Sequence, residues 1–203
     1  MKLKREFYSR STLDVAKDLL GKNLVHHVDG ERLVGKIVEA EAYVGPIDKA
    51  AHSYSGKTKR NEVMFGPPGH AYVYRIYGVY NCMNTITQKK GEGTGVLIRA
   101  VEPMENIEIM ARNRYDMSAE ELEKRQILNL TNGPAKLCIA MGITNKNNNG
   151  MDLCGDTLWI EQAAGDETFE TVETTRINID YAEEAIHFPW RFYIKDNPFI
   201  SVK

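Results

Sequence analysis

Cysteine is scarce: there are three in 203 residues, Cys82, Cys138 and Cys154, at spacings of 56 and 16. An odd number so spaced suits neither a disulfide framework nor a zinc cluster, so buried free thiols are expected. The five histidines, His26, His27, His52, His70 and His187, form no HxxxH or HExxH pair, and no structural metal is expected. Long apolar runs are missing too. The longest uncharged stretch, Ile76 to Gln88, is broken by Gly78, Asn81, Asn84 and two threonines, whereas a membrane span needs about 20 mostly apolar residues. The basic N-terminus MKLKREFYSR has no apolar segment behind it, which argues against a secretory signal and for a cytoplasmic protein with no membrane partner. No Pro/Ser-rich linker and no repeat of 20–50 residues divides the chain.

What remains is a chain with 42% hydrophobic residues, enough for one well-buried core and read as a single domain over 1–203. The net charge of −2 hides an asymmetry. Residues 1–99 carry 16 Lys+Arg against 10 Asp+Glu, residues 100–203 carry 10 against 18, and 151–175 hold seven acids and no base. One face can then meet a polyanion while another only solubilises, and the acidic stretch reads as a solvated hairpin.

Local patterns place a helix from Ser11 or Thr12 to near Gly21, and two strands, Asn23–Val28 and Arg32–Val44, joined by the turn pair Asp29-Gly30. A loop follows over Gly45–Gly69. Further strands are predicted at Ala71–Tyr77, Val79–Thr87, Gly95–Val101, Thr157–Gln162, Phe169–Asn178 and Trp190–Ile194. Helices are predicted at Met104–Arg114, Ser118–Leu128, opened by a Ser118/Glu121 capping box, and Pro134–Met141. Hairpins grouped around a helical middle segment predict an α+β domain rather than βαβ units.

Two segments carry chemistry. Alternation along Val38-Glu39-Ala40-Glu41-Ala42-Tyr43 puts two carboxylates and a phenol on one strand face, suited to activating water beside an aromatic platform, or else a solvated edge. In Ala71–Tyr80, four tyrosines fall within nine residues. Tyr72 and Tyr74 face one way and Arg75 and Tyr77 the other, with Gly78 free to bend the chain. An aromatic beside an arginine at a hairpin tip can wedge between stacked bases. Lys57, Lys59, Arg60, Lys89 and Lys90 flank it in sequence, adding to the nucleic-acid reading.

The runs VEAEAYVGPIDKAAHS, MFGPPGHAYVYRIYGVYNCMN, GVLIRAVEP, NGPAKLC and PWRFYIKDNPFIS together resemble, in order and spacing, the alkyladenine (3-methyladenine) DNA glycosylase family. The resemblance spans essentially the whole chain. It implies a mostly antiparallel curved sheet with surrounding helices and a protruding hairpin, acting on double-stranded DNA that contains alkylated purines. No cofactor is implied, and a monomer is adequate; in a bacterium such an enzyme is nucleoid-associated.

By position in those motifs, Glu41 is the residue that deprotonates the attacking water, with Glu39 its confounder. Arg99 helps hold that water and nearby phosphate, and a backbone carbonyl near Ile194 completes the site. Tyr43, His52 and Tyr74 match the residues that sandwich the extruded base, whose positive charge after alkylation favours electron-rich faces. Asn84 matches the pocket amide that crowds the amino group of guanine. Tyr77 matches the plug that fills the gap in the duplex, and Arg75 with nearby lysines contacts phosphates.

Lys136 is the one lysine to weigh as a Schiff-base nucleophile, and the sequence shows no group that would activate it, so a monofunctional enzyme is expected. Two other classes stay open: a damaged-DNA-binding protein without catalysis, and a small-molecule transferase or glycoside hydrolase using Glu39 and Glu41. A glycosidase pair must approach its bond from opposite sides, which same-face neighbours do not. The loop Ser53 to Asn61 is about a residue shorter than in mammalian members of the family and adds Tyr54, which bears on the pocket rim.

Overall fold

A computed structural model of the chain describes residues 1–165 and 167–202. Its strands are β1 (Asn23–Val28), β2 (Glu31–Val44), β3 (Ala71–Ile76), β4 (Tyr80–Thr87), β5 (Thr94–Glu105), β6 (Leu158–Glu161), β7 (Thr171–Thr174) and β8 (Arg191–Ile194). They form one antiparallel sheet in the order β3-β4-β5-β2-β1-β6, with β8 pairing both β2 and β7. The helices are short: α1 (Arg5–Tyr8), α2 (Thr12–Asp18), α3 (Ile107–Tyr115), α4 (Lys124–Leu128), α5 (Pro134–Ala140) and α6 (Asn145–Asn148). The fold is α+β, as the grouping of hairpins and helices predicts. No helix among the described residues is long and apolar enough to cross a membrane.

The hairpins follow from local chemistry. Asp29 and Gly30 both adopt positive φ (53° and 82°), the pairing demanded by a two-residue turn whose twist matches the strands. β2 is the organising strand, pairing with β1, β5 and β8. Its ladder to β5 shifts register around Glu39, and such bulges bend a strand and re-aim its side chains. The main core runs from Tyr8 to Ile200 and includes Leu24, Ile37, Ile98, Met110, Leu137 and Phe192.

Three element boundaries differ from the sequence pattern. Residues 118–128 form not one helix but a 3₁₀ turn, Ala119–Glu121, followed by α4; Leu122 between them is extended and buried. Its burial in place of a helical continuation breaks the run, and a second capping box, Glu123 with Gln126, restarts it. β5 continues to Glu105, so α3 begins only at Ile107. β7 stops at Thr174, because Arg176 leaves the sheet for a buried partner.

The acidic stretch is a belt of ion pairs rather than a solvated hairpin. Asp152 pairs with Arg5, Asp156 with Lys2, Glu161 with Arg32, Glu167 with Lys36, Glu170 with Lys195 and Glu173 with Lys17. Most of these pairs are exposed and individually worth little. Five of the six acids meet bases of the first 36 residues: Lys2, Arg5, Lys17, Arg32 and Lys36.

One buried titratable group sets a pH limit on the fold. His26 on β1 is 3% exposed; its Nδ1 lies 2.7 Å from the Met141 carbonyl and its Nε2 3.2 Å from the Asn148 amide nitrogen. Those partners assign a neutral ring donating at Nδ1 and accepting at Nε2. Burial holds its pKa below the ordinary 6.5. A folded-state value below the unfolded one means the unfolded chain takes up the proton first, so this contribution is complete above about pH 6.5 and is lost as pH falls through the lowered folded value. Urea midpoints measured from pH 8 to 5 are expected to fall less steeply in His26→Gln than in the parent.

Candidate active site

Sixteen of the described residues, from β2–β5, the start of α5 and three loops, line a cavity of about 250 Å³. Tyr43, His52, Tyr74, Tyr77, Asn84 and Arg99 are among them, so six of the eight side chains singled out in the sequence converge on one space. Glu41 stands directly behind it, fully buried. Its Oε2 accepts from the Tyr43 hydroxyl at 2.8 Å; its Oε1 accepts from the Ile177 N–H at 2.9 Å and pairs with Arg99 Nη1 at 3.1 Å. The three residues that bond Glu41 all line the cavity. Burial and the Glu41 carboxylate push the Tyr43 phenol well above 10, so it remains a donor. Burial acts to lower the Arg99 pKa, and the Glu41 and Glu39 carboxylates outweigh it, keeping the guanidinium charged.

Glu39 and Glu41 do share a face, as alternation along β2 predicts, but the face is not solvated. Glu39, Glu41 and Asp48 are all fully buried, and Arg99, Arg176 and Arg191 are each at most 7% exposed. This band of three acids and three bases matches charge for charge, which is what permits ions in a dry interior. Asp48 receives both terminal nitrogens of Arg176, at 2.6 and 2.7 Å. Arg176 also donates to the Ala42 carbonyl and lies 4.7 Å from the Tyr43 ring centroid. Arg176 and Ile177 lie outside the motif runs, and Asp48, within VEAEAYVGPIDKAAHS, has no role implied by it. The usable signal is that two neighbouring buried acids require bases from elsewhere.

One wall is aromatic. Tyr74 stacks on buried Tyr72 at 5.1 Å between centroids, and His52 meets Tyr74 edge to face at 4.6 Å. His52 keeps an exposed face at the mouth, yet burial of its ring and the Arg60 charge lower its pKa from 6.5, so it is neutral at pH 7. Cys82 also lines the cavity, its thiol pushed up by burial to about 11. Asn84 is 4% exposed, and its Oδ1 has no hydrogen-bond partner among the described residues. Buried amide oxygens are rarely left so.

Tyr77 departs from the strand pattern. Its φ is 52° and that of Gly78 is 74°; they sit at the centre of the turn closed by the Val79 N–H and Ile76 carbonyl, within the three-residue connection of the β3–β4 hairpin, and the Tyr77 ring is 86% exposed at the cavity mouth. Arg75 is exposed on β3, its carbonyl 3.4 Å from Arg60 Nη2. Lys57, Lys59, Arg60 and Arg75 are exposed and make no ion pair among the described residues. Lys89 and Lys90 lie beyond the opposite end of β4 from the tip, separated by eight residues of strand at about 3.3 Å each.

Three sequence expectations shift. Ile194 is not beside Glu41: β8 places Arg191 opposite it, and Ile194 pairs with Thr171. The backbone group at the carboxylate is that of Ile177. Tyr54 does not line this cavity but a separate groove with Pro46, Ile47 and Phe65. Cys154 is half-buried rather than buried. Lys136 is half-buried outside the cavity lining, its Nζ bonded at 2.8 Å to the amide oxygens of Asn129 and Asn132. Burial and then Arg114 lower its pKa.

Comparison with known proteins fits this geometry. A relative from Alkaliphilus oremlandii, named "Putative 3-methyladenine DNA glycosylase", is 66% identical with both chains fully covered. Relatives of the same name from Clostridium tetani and Clostridium acetobutylicum are 58% and 57% identical, covering all of this chain and 100% and 98% of theirs. The family model described as methylpurine-DNA glycosylase matches residues 6–198, and with that span and those identities the chain belongs to the methylpurine-DNA glycosylase family.

Proposed function

We propose that this DNA glycosylase extrudes an alkylated purine such as 3-methyladenine from double-stranded DNA. It hydrolyses the N-glycosidic bond with water activated by Glu41 and leaves an abasic site, the whole chain acting as one domain. The observation that carries this reading is Glu41 itself: a fully buried carboxylate tied to the cavity through Tyr43, Arg99 and Ile177. Water attacks the sugar as positive charge develops there, and a carboxylate serves both as base and as counter-charge. Arg99 directs its nitrogens to Glu41, Glu39 and Ser201, holding the base in place.

The aromatic wall gives recognition. Tyr43, Tyr74 and neutral His52 offer electron-rich faces to a cationic purine, and the attraction is worth about 0.5–2 kcal/mol per ring. Asn84 supplies an unpartnered amide where guanine would carry its amino group. A charged alkylated base leaves without prior protonation, which accords with a site that offers a single base. Glu39 and Glu41 sit on one strand face, unlike the opposed carboxylates of glycoside hydrolysis.

Tyr77 is the wedge. A bulky residue at positive φ is uncommon and costs on the order of 1 kcal/mol; here the strain presents the ring to solvent at the mouth of the cavity. Tyr77→Ala is expected to weaken binding to lesion-containing duplex roughly tenfold, from the loss of about 1–3 kcal/mol of stacking. Fluorescence anisotropy measures it. Exposed Lys57, Lys59, Arg60 and Arg75, without ion pairs among the described residues, are read as the phosphate contacts, so affinity should fall steeply with salt.

The test is a single-turnover assay on duplex oligonucleotides bearing one 3-methyladenine, 7-methylguanine, hypoxanthine or ethenoadenine. Strand breaks are expected only after hot alkali, because Lys136 is engaged by two amides. Breaks without alkali would overturn the monofunctional assignment, and binding without breaks on any lesion would overturn catalysis.

A further inference from the structure

Glu39 is fully buried on the same face of β2 as Glu41, and four groups converge on it. Its Oε1 accepts from Arg191 Nε at 2.7 Å and the Ser201 hydroxyl at 2.9 Å and lies 3.3 Å from Arg99 Nε; its Oε2 accepts from the Ser201 N–H at 2.6 Å. The Ser201 oxygen is in turn 3.4 Å from both Nε and Nη2 of Arg99. Arg191 closes the ring of contacts by donating to the Val202 carbonyl. The C-terminal segment is therefore fastened to the edge of Arg99 opposite the one that meets Glu41.

An arginine side chain has many rotamers, and holding one of them against a buried carboxylate needs partners on its remaining nitrogens. Arg99 meets Glu41 through Nη1, at 3.1 Å. Its other two nitrogens meet Glu39 and Ser201 alone among the described residues. Arg191 also pairs with Glu39, at 2.7 Å, so the one Glu39 carboxylate is shared between two guanidiniums and does not draw Arg99 away from Glu41.

We propose that Glu39 and Ser201 are positioning residues for excision: they fix the Arg99 guanidinium against Glu41, and the C-terminal segment thereby completes the active site. This rests on Glu41 acting as the base. Neither residue lines the cavity, so both act through Arg99 and not on the DNA.

The experiment is a double-mutant cycle on the single-turnover excision rate with 3-methyladenine duplex, alongside lesion-DNA Kd and thermal melts. Glu39→Gln keeps the shape and removes the charge; the rate is expected to fall about 10–100-fold with Kd within about twofold. Ser201→Ala, which keeps the N–H donor, should lose about 3–10-fold, and it serves if Glu39→Gln folds poorly. In an Arg99→Lys background, adding either change should cost less than about twofold, since the group they position is already gone. Additive losses, parental rates, or losses that track Kd would overturn the proposal. Glu41→Gln run in parallel separates the two readings: if it excises normally, the base assignment fails, whereas an inactive Glu41→Gln beside a fully active Glu39→Gln defeats the positioning role alone.

Discussion

Glu41→Gln is expected to lower single-turnover excision by about 10²–10⁴-fold, the range for loss of a positioned base. Lesion-DNA affinity should stay within a few-fold. The substitution is nearly isosteric, and the site can absorb it. The amide oxygen can take the place of Oε1 and accept from the Ile177 N–H and Arg99. The amide nitrogen then faces the Tyr43 hydroxyl, which can turn its lone pair to accept. Arg99 keeps Glu39, so no charge is left wholly unpaired and folding should survive. What disappears is the proton acceptor and the negative charge beside a developing cation. Anisotropy with lesion duplex and excision on a denaturing gel separate binding from chemistry. Parental excision by this variant would remove the mechanism proposed for the enzyme.

The largest effect on stability is expected at Asp48. Its carboxylate accepts from two nitrogens of Arg176, from the Val44 N–H at 3.1 Å and from the Ala50 N–H at 3.0 Å, with both charged side chains fully buried. Asp48→Asn halves the acceptors, turns an NH₂ group toward donors and leaves Arg176 uncompensated. Breaking such a pair costs about 3–5 kcal/mol. For a chain of this size that corresponds to a drop in Tm of about 6–20 °C. The melt should be accompanied by slower excision, because Arg176 packs against the Tyr43 ring. Adding Arg176→Met should restore part of the lost Tm by removing the stranded charge. A double variant no more stable than Asp48→Asn would show that the loss comes from the Val44 and Ala50 contacts instead.

Legibility in the sequence followed the range of the interaction. The Asp29-Gly30 turn could be read because two adjacent residues dictate it, and Gly78 marked a bend, but Tyr77 at positive φ belongs to that turn and not to the strand. The cavity residues could be read because they sit in compact motifs on β2 to β5. Leu122, which interrupts the expected helix, is buried at an extended position between the two turns, and no local period reveals it. The partners of the buried acids were out of reach for the same reason: Asp48 meets Arg176 across 128 positions, and Glu39 meets Ser201 across 162. Ile194 came from its position in the run PWRFYIKDNPFIS, and strand register decided otherwise. The acidic stretch could be counted, but only the fold shows that each described acid meets a base.

The placement of β8 bears on synthesis. Glu39, Ala40 and Glu41 pair on one side with Tyr193, Phe192 and Arg191, and Glu39 takes its last donors from Ser201. A chain emerging from the ribosome with its N-terminus first can assemble the hairpins of β1 to β5 early, while the strand segment that bears both glutamates still has an open edge. The ionic interior is finished only by residues 191–201. Until residues 191–201 have emerged, a nascent chain lacks the donors that Glu39 takes from Arg191 and Ser201.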